Sequence, residues 1–293
     1  MRYIFCFLLL AAIALGGPST VIAASASDDI IALDGEINDR QVTAKLTARI
    51  NQMIQDGQTT TREELATQLD RTECELKLTR PGKRRLSAAE INEKHRAGVV
   101  VVAQPYLCGK CDRTHLQLAS GFMLTSDGAF CTSHHIMNNR TTQTMVILTG
   151  DGRVAPVREV LAANASTDLL ILRAEGSGYQ PLPLATHAPI GSTVRIISHP
   201  NNRFYSLTEG IVSRHFALPR RRQAVSMLAV TADFAKGSSG APVFNESGAV
   251  VASVNSTISS YYGTDEDGHQ ENLQMVFKNC VSARHVLDLI RMK

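Results

Sequence analysis

Gly237-Ser238-Ser239-Gly240-Ala241-Pro242 frames a serine with glycines. On a tight turn between strands, such a segment exposes a hydroxyl and aims the N–H groups of Gly237 and Ser239 at one point. Preorganised donors at that point stabilise an oxyanion, usually the largest single catalytic effect. A serine hydroxyl is a weak nucleophile until a histidine takes its proton, and the histidine needs a carboxylate on its other nitrogen. Thr132-Ser133-His134-His135 ends an apolar run with imidazoles, and Asp168 stands directly before Leu169-Leu170-Ile171-Leu172. The order is His, Asp, Ser, and the chemistry it points to is acyl transfer through a covalent serine intermediate. Gly-x-Ser-Gly-x-Pro after a strand differs from the strand-to-helix Gly-x-Ser-x-Gly elbow, which disfavours a non-peptidase esterase.

The elements that must position these residues begin after an address. Met1-Arg2, an apolar run from Tyr3 to Gly16 and the small-residue stretches Val21-Ile22-Ala23 and Ala24-Ser25-Ala26 read as a signal peptide over residues 1–26. The run is shorter than the roughly 20 residues of a spanning helix, so export with only transient membrane contact is expected. The 293 residues are 44% hydrophobic with a net charge of +3, which excludes intrinsic disorder and gives no basis for a nucleic-acid partner. The absence of tryptophan argues mildly against a base-stacking surface. No cofactor is implied.

Removing the leader leaves Cys74, Cys108, Cys111, Cys131 and Cys280, an odd number for an oxidising compartment. Cys131, in an apolar stretch, reads as a buried inert thiol. Cys108-Gly109-Lys110-Cys111-Asp112-Arg113-Thr114-His115 is the one suggestive cluster. A Cys108–Cys111 disulfide pinning a hairpin tip is the preferred reading. The alternative is zinc on Cys108, Cys111 and His115 with Cys74 or water as fourth ligand, and redox activity is a distant third.

Residues 39–56 read as a helix with Val42, Leu46, Ile50, Met53 and Ile54 on one face. Thr61 with Glu64 and Ser87 with Glu90 are capping boxes for helices over 62–70 and from 88 to near Arg96. The basic, turn-forming stretch 80–85 reads as a linker. A boundary near 85 therefore separates a helical region, 27–85, from a larger domain, 86–293. From Gly98 on, twelve short apolar or alternating runs fall into two sets of six around a Pro-rich segment. That predicts an all-β fold of two antiparallel six-stranded barrels, closed by a C-terminal helix over Val281–Arg291.

Ser120-Gly121-Phe122-Met123-Leu124-Thr125-Ser126-Asp127-Gly128 leading to Thr132-x-x-His135 resembles the histidine region of trypsin-like serine peptidases, and most of all the bacterial HtrA/Deg branch. Asp168-Leu169-Leu170-Ile171-Leu172 resembles that family's aspartate motif, and Gly237-x-Ser239-Gly240-x-Pro242 its nucleophile motif. Gly191-Ser192-Thr193-Val194, Ser198-His199-Pro200 and Thr208-Glu209-Gly210-Ile211-Val212-Ser213 resemble the start of its second barrel. The resemblance spans about 95–290 and reaches nothing before 85. It implies a chymotrypsin-like fold, a polypeptide substrate, His135 as general base, Asp168 as its orienting carboxylate and Ser239 as nucleophile. His134 competes for the role of base; on a strand the two would face opposite sides, and the Thr132-x-x-His135 spacing selects His135.

Three departures bear on this expectation. Ala241 replaces the second glycine after the nucleophile, and Ser238 replaces the aspartate that pairs with a freshly cut N-terminus in digestive relatives. The resemblance therefore implies loop-controlled activity, and the residues left after Ser239 offer no room for a PDZ domain. Asp233, six residues before Ser239, occupies the spacing of a trypsin pocket carboxylate, which would favour a basic residue at the cleaved position; a structural aspartate capping a turn is the preferred reading, and Lys236 could neutralise the carboxylate. The alternative function is a catalytically inactive barrel that binds a peptide or protein, with the N-terminal helices mediating assembly.

Overall fold

The computed structural model describes residues 36–220 and 224–292; the expected leader over 1–26 lies outside them. Helix α1, Asp39–Gln55, starts where the Asn38 side chain accepts the N–H of Gln41. Its apolar face buries Val42, Leu46, Ile50 and Met53. Both capping boxes form, opening α2, Arg62–Ala66, and α3, Ala88–His95. The expected helix over 62–70 ends at Ala66 and continues as tighter turns. Among the described residues no helix is long and apolar enough to cross a membrane.

Strands β2 (Val99–Leu107), β3 (Thr114–Met123), β4 (Ala129–Ser133), β5 (Val146–Thr149), β6 (Val154–Asn164) and β7 (Leu169–Ala174) close into a barrel in the order β2-β3-β4-β7-β6-β5. Its pairings are all antiparallel; β2, β4, β5 and β7 are buried along most of their length, whereas the first half of β3 and about half of β6 are half-buried. The next six strands are β8 (Thr193–Ser198), β9 (Ser206–Leu218), β10 (Val225–Val230), β11 (Pro242–Phe244), β12 (Val250–Thr264) and β13 (Gln270–Ser282). They follow the ring order β10-β13-β12-β11-β8-β9, joined between β8 and β11 through Ile196↔Val243 and Arg195↔Phe244. Strands β12 and β13 run on as a long hairpin whose outer half exposes Ile258, Tyr262, Leu273 and Met275.

Two expectations change here. The helix expected over Val281–Arg291 is a short one, α4 (Arg284–Leu287), because β13 pairs through Ser282 and Ile290–Met292 forms β14. Strand β14 lies parallel to β1, Cys74–Leu76, with Cys74 opposite Ile290. The helical region is also joined to the barrels. The buried face of α1 packs in one core cluster with Val99, Val101, Phe122, Phe244 and Val281. Leu65 of α2 packs into the first barrel beside Val100, Val102 and Ile147. Even the basic stretch is tied down, with Arg85 paired to Glu246 at 2.6 Å and the Leu86 N–H donating to the Glu246 carbonyl.

Candidate active site

Asp168 opens the site. The Asn164 side chain accepts the N–H groups of Ser166 and Thr167, making the turn that delivers Asp168 in a left-handed conformation at φ 58°. Aspartate tolerates that region better than most residues. Its backbone carbonyl then accepts the His134 N–H at 3.0 Å, and Oδ1 accepts the His135 N–H at 2.7 Å. Its Oδ2 lies 2.7 Å from Nδ1 of His135. The two histidines are not on a strand as expected: β4 ends at Ser133 and His134–Asn138 is a 3₁₀ turn. What separates them is Asp168, which holds His134 by its main chain and His135 by its ring. The Asp168 hydrogen bond, opposed by partial burial, raises the His135 pKa above its ordinary value, whereas burial lowers that of His134.

A third donor on the carboxylate was not foreseen. Asn255 Nδ2, on β12 of the second barrel, donates to Asp168 Oδ2 at 2.7 Å. In the sequence Asn255 shows only as a sequon, and no local pattern ties it to a residue 87 positions away.

The serine turn is fastened to the first barrel by Ser120. Its N–H donates to the Ser239 carbonyl at 2.9 Å and its hydroxyl to the Gly237 carbonyl at 2.9 Å. Within the turn, the N–H groups of Ser238, Gly240 and Ala241 donate to the carbonyls of Ala235, Val254 and Ser238. Among the described residues, no acceptor is paired with the N–H of Gly237 or of Ser239. In a trans peptide each N–H points opposite the preceding carbonyl, and the preceding carbonyls, those of Lys236 and Ser238, are held on the other side by the N–H groups of Asn201 and Ala241. Gly240 is required by proximity: at φ 85°, a Cβ there would stand 2.3 Å from the Ser120 carbonyl oxygen. Ser238 is fully buried and its hydroxyl donates to the Ser198 hydroxyl at 2.9 Å, so the position holds a neutral contact between turn and β8.

His135, Gly237 and Ser239 line one cleft of about 690 Å³ between the barrels, together with Tyr106, Leu118, Ile136, Asn201 and Lys236. Asp233 is not part of it. Its side chain is 81% exposed and is paired with Lys278 of β13, while its carbonyl accepts the Thr208 hydroxyl. The pocket carboxylate expected from its spacing is therefore a surface residue, drawn outward by Lys278. Lys236, three residues further on, lines the cleft.

The cysteines also depart from expectation. Cys108 and Cys111 are free thiols with their sulfurs 3.5 Å apart, and Nε2 of His115 lies 3.2 Å from Cys111 Sγ. Hydrogen bonds from the Arg113 backbone and from Cys108 lower the Cys111 pKa. Cys74, the suggested fourth ligand, is elsewhere, its thiol donating to the Leu289 carbonyl. Cys131 is buried, and burial raises its pKa, as expected of an inert thiol.

Residues 119–252 match the trypsin-like peptidase domain family. A probable periplasmic serine endoprotease, DegP-like, of Halomonas elongata is 28% identical over 143 residues, covering 48% of this chain and 29% of that protein. The protein of the same description from Ectopseudomonas mendocina is 28% identical over 152 residues, 51% of this chain and 31% of its own. The chain thus spans less than a third of the length of these curated relatives. Among solved structures, the HtrA-type protease AlgW with tripeptide superposes with a TM-score of 0.54 at 14% identity, covering 69% of this chain and 62% of that one. The serine endoprotease from Yersinia pestis gives 0.51 at 18% identity, with 70% and 65% covered. At those identities the structural likeness establishes the two-barrel fold, and the sequence matches, confined to about half of the chain, are to the trypsin-like peptidase domain and to DegP-like serine endoproteases.

Proposed function

We propose that this chain is an exported serine endopeptidase acting through a His135/Asp168/Ser239 triad. The observation that carries the proposal is the 2.7 Å contact between His135 Nδ1 and Asp168 Oδ2 at the edge of the cleft that also holds Ser239. With Nδ1–H donating to the carboxylate, Nε2 carries the lone pair that accepts the Ser239 proton. The Ser239 oxygen attacks a peptide carbonyl, and the developing oxyanion takes up the two unpaired N–H groups of Gly237 and Ser239. The imidazolium, steadied by Asp168, protonates the leaving amine, and water then hydrolyses the acyl-enzyme with His135 again as base. Export rests on the leader-like N-terminus and on the periplasmic description of the relatives.

The cleft wall supports a neutral rather than a basic substrate preference. Leu116, Leu118, Ala119 and Ile136 line it, and its cation, Lys236, would repel lysine or arginine side chains. Labelling with a serine-directed fluorophosphonate tests the triad: wild type reacts and Ser239→Ala does not. Absence of both labelling and peptide cleavage in folded wild type would establish the binding-module alternative instead. Peptides with apolar or basic residues flanking the cleaved bond test the preference, with the apolar series expected to be faster.

A further inference from the structure

We propose that the tip of the β2–β3 hairpin is a zinc site, with the thiolates of Cys108 and Cys111 and Nε2 of His115 as protein ligands and water in the fourth position. The hairpin register puts Leu107 opposite Thr114 and Tyr106 opposite His115, so the loop folds the two cysteines back over the first turn of β3. Gly109, at φ 70°, takes the left-handed conformation the turn needs. The three ligand atoms lie within 4.8 Å of one another.

The spacing fits a metal better than a covalent bond. Zinc bonds of about 2.3 Å to sulfur and 2.0–2.1 Å to imidazole, set tetrahedrally, place two sulfurs about 3.8 Å apart and a sulfur and nitrogen about 3.6 Å apart. The observed separations of 3.5 and 3.2 Å need to open by only a few tenths of an ångström. A disulfide would have to draw the sulfurs in to about 2.05 Å. Two thiolates and a neutral imidazole also cancel the charge of a divalent ion, and a sulfur–nitrogen donor set selects zinc over oxygen-seeking magnesium or calcium. All three ligands are half-buried, leaving one side of the site open to water.

The position links the site to the cleft. The Tyr106 and His115 rings are 5.5 Å apart, and Tyr106, Leu116 and Gln117 form part of the cleft wall. A metal at the tip would fix that wall from outside. The claim is independent of the chemistry at Ser239.

Reduced, purified chain equilibrated with zinc and dialysed against a competing chelator should retain a single metal ion per chain by elemental analysis. Cobalt in its place should give the thiolate charge-transfer and tetrahedral d–d bands. Cys108→Ser, Cys111→Ser and His115→Ala should each lose the metal and the zinc-dependent rise in Tm, while Cys74→Ser keeps both. Circular dichroism confirms that each variant is folded, which half-buried positions at a hairpin tip outside the core allow. Zinc retention by folded wild type no greater than by the Cys108→Ser variant would overturn the proposal. So would a cobalt spectrum without thiolate bands, or retention that survives loss of both cysteines.

Discussion

Asn255 is the residue whose role the geometry defines most sharply. Asp168 is held by three donors: the His135 N–H on Oδ1, and on Oδ2 both His135 Nδ1 and Asn255 Nδ2, each at 2.7 Å. Replacing Asn255 with alanine removes a neutral donor from a charged acceptor, an interaction of roughly 1.5–3 kcal/mol. At about 1.4 kcal/mol per decade that sets a ceiling of about 10–150-fold on the rate. Two donors still hold the carboxylate, so the lower end, about tenfold in kcat/KM, is expected. The loss should fall on kcat, since Asn255 does not line the cleft. The pH profile separates positioning from simple destabilisation. His135 must be neutral to act, and its pKa is already raised above 6.5 by the Asp168 hydrogen bond. An Oδ2 relieved of a competing donor holds the imidazolium more strongly, so the acid limb of kcat/KM should move to still higher pH. A variant that retains wild-type Tm but has kcat/KM within twofold of wild type would refute the argument. An acid limb that stays put or falls toward 6.5 would do so equally, since the carboxylate would then have swung away from the ring.

Three further outcomes follow from the same contacts. Gly237→Ala should lower kcat by about 10²–10³-fold, the cost of one oxyanion donor, because a Cβ at φ 98° would stand 2.5 Å from the His199 carbonyl oxygen; a fluorophosphonate labelling rate equal to wild type would contradict it. Burial lowers the folded-state pKa of His95 to about 4 and of His199 to about 3, so stability is full above 6.5 and declines as pH falls from there toward those values; the His135 pair has the opposite sign, and a urea midpoint unchanged between pH 7 and pH 5 would show that the buried pair does not dominate. Residues 86–293 alone should fail to melt cooperatively, since Val42, Leu46, Ile50 and Met53 bury about 1.5–3 kcal/mol each against a typical total of about 5–15; a calorimetric Tm near that of the longer chain would refute this.

The sequence carried the site where the chemistry is local. The serine turn and its glycines sit within six residues, and the backbone conformations they need are written in residue type: Gly237 and Gly240 both have positive φ. The carboxylate could be picked out because an aspartate directly before an apolar strand is conspicuous. What acts on these groups from a distance could not be picked out. Asn255 reaches Asp168, and Ser120 reaches the serine turn, across the gap between the barrels, so neither has a periodicity or neighbour that marks it. Asp233 shows the converse case. A spacing of six residues carries meaning only when the intervening loop has the expected course, and here pairing with Lys278 holds the side chain at the surface.

The fold followed the same division. Alternation and turn residues pointed to twelve barrel strands, yet the outer parts of β12 and β13 carry no such signal, because the hairpin there is exposed on both faces and loses the alternation that burial imposes. At the C-terminus, Val281, Ala283, Val286, Leu289 and Ile290 have helix-like spacing, and all five are buried. Burial there comes by another route. Val281 completes β13 opposite Met227, Ala283 and Val286 flank or form a single helical turn, and Ile290 pairs with Cys74 in β14. That last pairing depends on a strand from the other end of the chain, so no window on residues 281–291 could contain it. The same strand makes the boundary near 85 a feature of composition rather than of packing. The helical region supplies one strand of the β1–β14 sheet and one face of the core, and the barrels' outer surface is shaped to receive both.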